Sequence, residues 1–190
     1  MREKKLIIFI DSGDTLVDES TEYRKEGSEV VERALLIPGA KQALLALKEK
    51  GFALEMVADG LTASFDNVYR QNGLEDIFTE RTISEEVGAE KPAVEMFRTA
   101  MEKLGLGEAD KGRIIMVGNN LKKDIAGANR FGITSVLMAW SPRYCMVPEN
   151  EEQTPDHVIR NPLQLVELAE RLEREQKEPM PWKRNPILTM

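Results

Sequence analysis

Cysteine and histidine are nearly missing from this chain: its 190 residues include one of each, Cys145 and His157. A lone cysteine excludes an internal disulfide and points to a reducing compartment. Long apolar runs are missing too. Leu6–Ile10 is five residues long and stops at Asp11. A secretory signal needs about 7–15 apolar residues and a membrane span about 18. The basic start before Leu6 is therefore not read as a signal. The chain is expected in the cytoplasm, with no membrane partner. Positive charge is not in surplus either, since 26 Lys+Arg face 33 Asp+Glu for a net charge of −7. That argues against a nucleic-acid partner, which usually calls for a basic face. Repeats and low-complexity tracts are absent. What remains is 42% hydrophobic and 31% charged, the make-up of a globular domain large enough to bury a core.

The apolar segments that do occur alternate between two periodicities. Leu6–Ile10 is β-branched and lacks alternation, which suits a strand buried on both faces. Ala40, Ala43, Leu44 and Leu47 fall at helical spacing between Pro38 and Gly51. Ala53–Ala58 reads as a strand and Thr62–Gln71 as a helix. Thr79–Ile83 is a third strand, and a helix starts at Pro92 with Val94, Phe97, Met101 and Leu104 inward. Ile114–Val117 is a strand, Lys122–Arg130 a helix, Ile133–Met138 a strand and His157–Ile159 a short last one. Asn161-Pro162 opens a final helix that buries Leu165, Leu168, Ala169 and Leu172. Strand–helix alternation predicts a doubly wound, three-layer, Rossmann-like α/β fold with a parallel sheet. The domain is expected over 1–173. Within it, 18–37 would form a flap with a short helix. Residues 174–190 would be a tail, loosely ordered or docked on a partner subunit.

Ligands of open α/β sheets bind at the carboxyl ends of the strands. Asp11, Asp59, Lys91, Asn119 and Asp124 all follow predicted strands, so polar groups from four segments meet at one edge. An aspartate there can attack phosphorus. A second carboxylate can hold Mg2+, and a lysine can balance charge on the transferring group. Asp11, Asp124 and Lys91 are of the right types for these roles.

Four motifs in order resemble those of the haloacid dehalogenase (HAD) superfamily, hydrolases that are mostly Mg2+-dependent phosphatases. They are IFIDSGDTLVD (8–18), PGAKQALLALKEKGFALEMVADG (38–60), EKPAVEMF (90–97) and VGNNLKKDIAGANRFGI (117–133). The resemblance covers residues 5–173. It implies a HAD-like fold with Asp11 as nucleophile, Thr15 as the motif threonine and Lys91 as the charge-balancing cation. It places Mg2+ on Asp11, the Gly13 carbonyl, Asn119 and Asp124. Substrate would be met at Asp59, Gly60 and Lys91. The implied activity is hydrolysis of a phosphate monoester through an aspartyl-phosphate.

Three positions depart from that pattern. The family's general acid/base falls on Gly13, its phosphate-binding hydroxyl on Ala58 and its first fourth-motif acid on Asn119. Losing a general acid or base costs about 10²–10⁴ in rate, so slow turnover is expected. Asp14 is a candidate replacement acid, although it also reads as a turn residue. Thr62 and Ser64 are candidate replacement hydroxyls. A catalytically weak or inactive binding or regulatory protein on the same fold is the alternative, and a metal-independent dehalogenase a third reading. The short stretch between Asp18 and Pro38 leaves little or no cap domain. The open site that results suits a large phosphorylated substrate, or one whose site another subunit completes, as in a homo-oligomer. Arg24, Lys25 and Arg33 read as a solvated helix face. His157 reads as structural, Cys145 as packing, and Trp140, Arg143 and Tyr144 as cover over the core.

Overall fold

The computed structural model describes residues 5–141 and 143–177. Strand β1 (Ile7–Ile10) is buried along its whole length. Residues on its two sides feed two cores. Ile8 and Ile10 join one cluster, and Ile7 and Phe9 join the other. This is why the run shows no alternation of polar and apolar residues: each side of the strand packs on a helix layer.

Strands β4 (Ala53–Ala58), β5 (Glu80–Ile83), β6 (Ile114–Gly118), β7 (Thr134–Met138) and β8 (His157–Ile159) complete a six-stranded sheet in the order β5-β4-β1-β6-β7-β8. Every adjacent pair is parallel. Helices α1 (Ala40–Glu49), α2 (Thr62–Gln71) and α6 (Leu163–Lys177) belong to the first layer, and α4 (Val94–Lys103) and α5 (Ala126–Phe131) to the second. A short helix α3 (Ser84–Val87) follows β5. The expected α/β three-layer fold is present. The apolar face of α1 is the one its spacing predicts, with Ala40, Ala43, Leu44 and Leu47 all buried.

Four expectations are corrected. The helix expected from Pro92 begins at Val94, because a turn closed by Ala93 N–H to the Glu90 carbonyl comes first. The helix expected over Lys122–Arg130 divides into a wide π-type turn, Leu121–Ile125, and α5. Residues 174–177 of the expected tail belong to α6, and the rest of that stretch lies outside the described residues.

The largest correction concerns residues 18–37. They hold no helix. Strands β2 (Val17–Arg24) and β3 (Val31–Leu36) make an antiparallel hairpin with an irregular register. Its inner side chains Val17, Val31 and Ala34 enter the first core. The edge of β3 is closed by helix α2. Ser64 Oγ accepts from Val31 N–H (2.9 Å), and Asn67 Nδ2 donates to the Val31 carbonyl (3.1 Å). Gln71 Oε1 accepts from Ala34 N–H (3.1 Å), and Asn72 Nδ2 donates to the Ala34 carbonyl (3.3 Å). Strand groups that would otherwise stand open as an edge are thereby satisfied. Arg24 and Arg33 sit on hairpin strands and Lys25 on its loop, not on a helix.

Candidate active site

Chain order reverses beside β1: the strands after it run out through β4 and β5, then return on the other side as β6, β7 and β8. Such a reversal opens a crevice at the strand carboxyl ends. Asp11 is the first residue past β1, and its N–H extends the ladder by donating to the Val117 carbonyl (2.9 Å). The chain then folds back sharply. The Ser12 carbonyl accepts from the N–H groups of Thr15, Leu16 and Val17. Asp14 takes the left-handed conformation in this turn, φ 46°. Gly13 does not, so backbone strain is not what keeps position 13 free of a side chain.

Asp11, Lys91 and Asp124 meet in the crevice. Lys91 Nζ lies 2.6 Å from Asp11 Oδ1 and 2.9 Å from Asp124 Oδ1. It also donates to the Val57 carbonyl at 2.7 Å. Side-chain exposure is 2% for Lys91, 13% for Asp11 and 2% for Asp124, so the charges interact with little screening. Burial pulls the Lys91 pKa down, but Asp11, Asp124 and Asp59 outweigh it and leave the amine above the ordinary lysine value. Burial raises the Asp11 pKa, Lys91 opposes the rise, and the Asp124 charge adds to it. Thr15 Oγ1 donates to Asp11 Oδ2 at 3.3 Å.

Asp124 is delivered by the turn after β6. Asn120 Oδ1 accepts from Lys122 and Lys123 N–H and caps the π-type turn. Asp124 Oδ2 then accepts from Asn120 N–H at 2.9 Å. A Cβ on Gly118 would lie 2.2 Å from Asp124 Cγ, so the glycine of the fourth motif makes room for this carboxylate. Asn119 is buried beside it, and its Nδ2 has no hydrogen-bond partner among the described residues.

The second-motif residues are held by hydrogen bonds within the protein. Asp59 Oδ1 accepts from Lys91 N–H (3.0 Å), and its Oδ2 pairs with Lys123 Nζ (2.9 Å). Gly60 N–H donates to Ser84 Oγ. Both make these bonds within the protein, and both also line the space between hairpin and α2. Thr62 Oγ1 donates to Glu86, and Ser64 holds the hairpin, so neither hydroxyl is set aside for phosphate. Lys123, which the sequence reading passed over, lines the crevice with Asp11, Lys91 and Asp124. Burial lowers its pKa, but Glu90 and Asp59 raise it further and keep the amine charged. The double lysine before Asp124 is the only sequence signal for it.

Asp14 is not placed as a replacement acid. It is 1% exposed; its Oδ1 accepts from Glu19 N–H (3.1 Å), and its Oδ2 pairs with Arg143. Arg143 also reaches Glu19 Oε2 at 3.3 Å, and Tyr144 lines the crevice. These two residues therefore cover the site, whereas Trp140 packs on the core as expected. Cys145 is exposed, contrary to a packing role.

A metal would find oxygen donors here. Among the described residues no trio of His, Cys, Asp and Glu is suited to a metal. A cation would therefore rest on the Asp11 and Asp124 carboxylates, completed by amide and carbonyl oxygens of Asn119 and Gly13. Turning the Asn119 amide over breaks no hydrogen bond at its nitrogen. That all-oxygen set fits Mg2+.

Similarity to known proteins agrees with this layout. The chain is 33% identical to a glyceraldehyde 3-phosphate phosphatase of Methanopyrus kandleri over 138 residues, 73% of this chain and 58% of that one. It is 32% identical to the protein of the same name from Methanothermobacter thermautotrophicus over 129 residues, 68% of this chain and 52% of that one. The chain thus spans little more than half the length of these curated relatives. A crystal structure of an uncharacterized protein from Listeria monocytogenes serotype 4b shares the fold. Its TM-score is 0.72 at 22% identity, over 89% of this chain and 99% of that one. Among the described residues no helix is long and apolar enough to cross a membrane. The family description "haloacid dehalogenase-like hydrolase" matches residues 6–132. Since that match takes in Asp11, Lys91 and Asp124 and most of the sheet, the chain belongs to the haloacid dehalogenase-like hydrolases.

Proposed function

We propose that this chain is a phosphatase that cleaves a small phosphate monoester through an aspartyl-phosphate on Asp11, with Mg2+ as cofactor. The observation that carries the reading is the buried Asp11–Lys91–Asp124 cluster at the sheet reversal, with Lys91 within 3 Å of both carboxylates. Relatives named as glyceraldehyde 3-phosphate phosphatases support the substrate class.

Asp11 supplies the attacking oxygen, which Thr15 orients and whose charged form Lys91 favours against the upward pull of burial. Lys91 and Lys123 present positive charge to the transferring group. Asp124 holds Lys91 in place. Mg2+ would rest on Asp11, Asp124, Asn119 and the Gly13 carbonyl, where it would screen repulsion between carboxylate and phosphate. The leaving group would lie between hairpin and α2, in a cavity of about 260 Å³ lined by Val17, Val31, Leu61, Phe65 and Val68 together with acidic groups. The hairpin wall favours a small leaving group over the large substrate that an open site suggests.

Asp11→Asn tests the reading. Phosphate release from an aryl phosphate should fall at least about 10³-fold, and the variant should no longer bind beryllofluoride. Wild-type release rates in Asp11→Asn would overturn the covalent route.

A further inference from the structure

The glycine at position 13 leaves a space, and a carboxylate from another strand fills it. A Cβ built on Gly13 would lie 1.9 Å from Glu19 Oε1 and 2.8 Å from Glu19 Cδ. Glu19 therefore delivers its acid group to the volume where a side chain at position 13 would begin. Its placement is fixed at three points. Glu19 sits on β2, its N–H donates to Asp14 Oδ1, and its Oε2 faces Arg143 Nε at 3.3 Å. Asp14 and Arg143 also pair with each other, which closes the support.

Two cavities meet at this carboxylate. One holds Asp11, Lys91, Asn119 and Asp124, and the other is the 260 Å³ space between hairpin and α2. Gly13, Glu19 and Asp59 line both. Gly13 has no side chain, and both Asp59 oxygens are engaged by Lys91 N–H and Lys123. Glu19 is thus the acid that stands between the attacking aspartate and the leaving-group space. We propose that Glu19 is the general acid and base of the reaction, doing from β2 what Gly13 cannot. This rests on the phosphatase reading above.

Asp11 Oδ forms a bond to phosphorus while the ester P–O bond breaks, and the leaving oxygen takes the proton of the Glu19 carboxyl. Glu19, now a carboxylate, accepts a proton from a water molecule whose oxygen attacks phosphorus. The Asp11–phosphorus bond breaks, phosphate leaves, and the Glu19 carboxyl is restored.

The test compares wild type, Glu19→Gln, Glu19→Ala and the double variant Gly13→Asp/Glu19→Ala, each checked for folding by thermal melting. Single-turnover rates are read on glycerol 3-phosphate and on p-nitrophenyl phosphate. Glu19→Gln should slow cleavage of the alkyl ester about 10²–10⁴-fold. Nitrophenolate needs little protonation, so its first release should slow far less while phosphate release lags behind it. A burst of nitrophenolate with delayed phosphate is a signature that a merely structural role would not produce. Glu19→Ala alone should match Glu19→Gln, and adding Gly13→Asp should restore part of the alkyl rate. If both esters slow by one common factor in Glu19→Gln, or neither slows, Glu19 is not the proton donor even though Asp11 chemistry stands. If wild type releases phosphate from neither ester, the phosphatase reading fails and takes this assignment with it.

Discussion

Two glycines in this protein leave room for a carboxylate, and their surroundings differ. Gly118 ends β6, and the space above it holds Asp124, a side chain 2% exposed and paired with Lys91. Gly13 follows β1, and the space above it holds the end of Glu19, a side chain 31% exposed, on a hairpin. The first carboxylate is locked by the sheet and by a buried cation. The second is the tip of a longer, partly solvated side chain. One end of the crevice is therefore built to stay fixed, and the other can accommodate a change.

The largest effect should come from the cation that the fixed end depends on. Lys91→Met leaves two buried carboxylates with no counter-charge, a loss of about 3–5 kcal/mol in stability. Urea titration at pH 8 checks this. A variant as stable as wild type would mean that the fixed end does not depend on its ion pairs.

Glu55 sharpens the contrast, because it is a buried carboxyl that forms no ion pair among the described residues. Thr82 Oγ1 donates to Glu55 Oε1 at 2.7 Å, while Oε2 has no hydrogen-bond partner among the described residues. Burial pushes its pKa up to about 8, against the Thr82 hydrogen bond. The folded pKa lies above the unfolded one, so the folded chain holds the proton longer. Below the unfolded value neither state is charged and nothing is lost. Stability then falls as pH rises towards about 8 and is constant above it. Glu55→Gln should flatten this fall by about 2–4 kcal/mol between pH 5 and pH 9. Parallel pH profiles for the two proteins would show that the Glu55 charge is better compensated than its surroundings suggest.

The glycines themselves give the smallest effects and the most direct comparison. Gly118→Ala must displace Asp124 and should lose about 1–3 kcal/mol. Gly13→Ala need only turn Glu19 aside and should lose less than about 1 kcal/mol. Equal losses in chemical denaturation would erase the distinction between the two ends.

The fixed end was also the legible one. Asp11, Lys91 and Asp124 each follow a parallel strand, and strand–helix alternation suffices to bring strand ends together. The bounds of α2 and β8 fall where the sequence places them, at Thr62–Gln71 and His157–Ile159. The hairpin was hidden because Val17–Arg24 lacks a clean two-residue rhythm: its polar side chains are half-buried on both sides. Glu19 was hidden for another reason. Its importance lies in the space over Gly13, which no spacing along the chain expresses. Asp59 and Gly60 carried the right motif positions, yet Lys123 and Ser84 claim their polar groups, and such competition is visible only in three dimensions.

The side chains of Ser64, Asn67, Gln71 and Asn72 act as a template for β3. They read both the N–H and the carbonyl of Val31 and of Ala34, so a slip of the strand by one residue would break every one of these bonds. The hairpin's register is thus encoded on a helix rather than on a neighbouring strand. It follows that the width of the leaving-group cavity is inherited jointly: exchanging the hairpin for another without exchanging α2 would transplant the wall but lose the key that positions it.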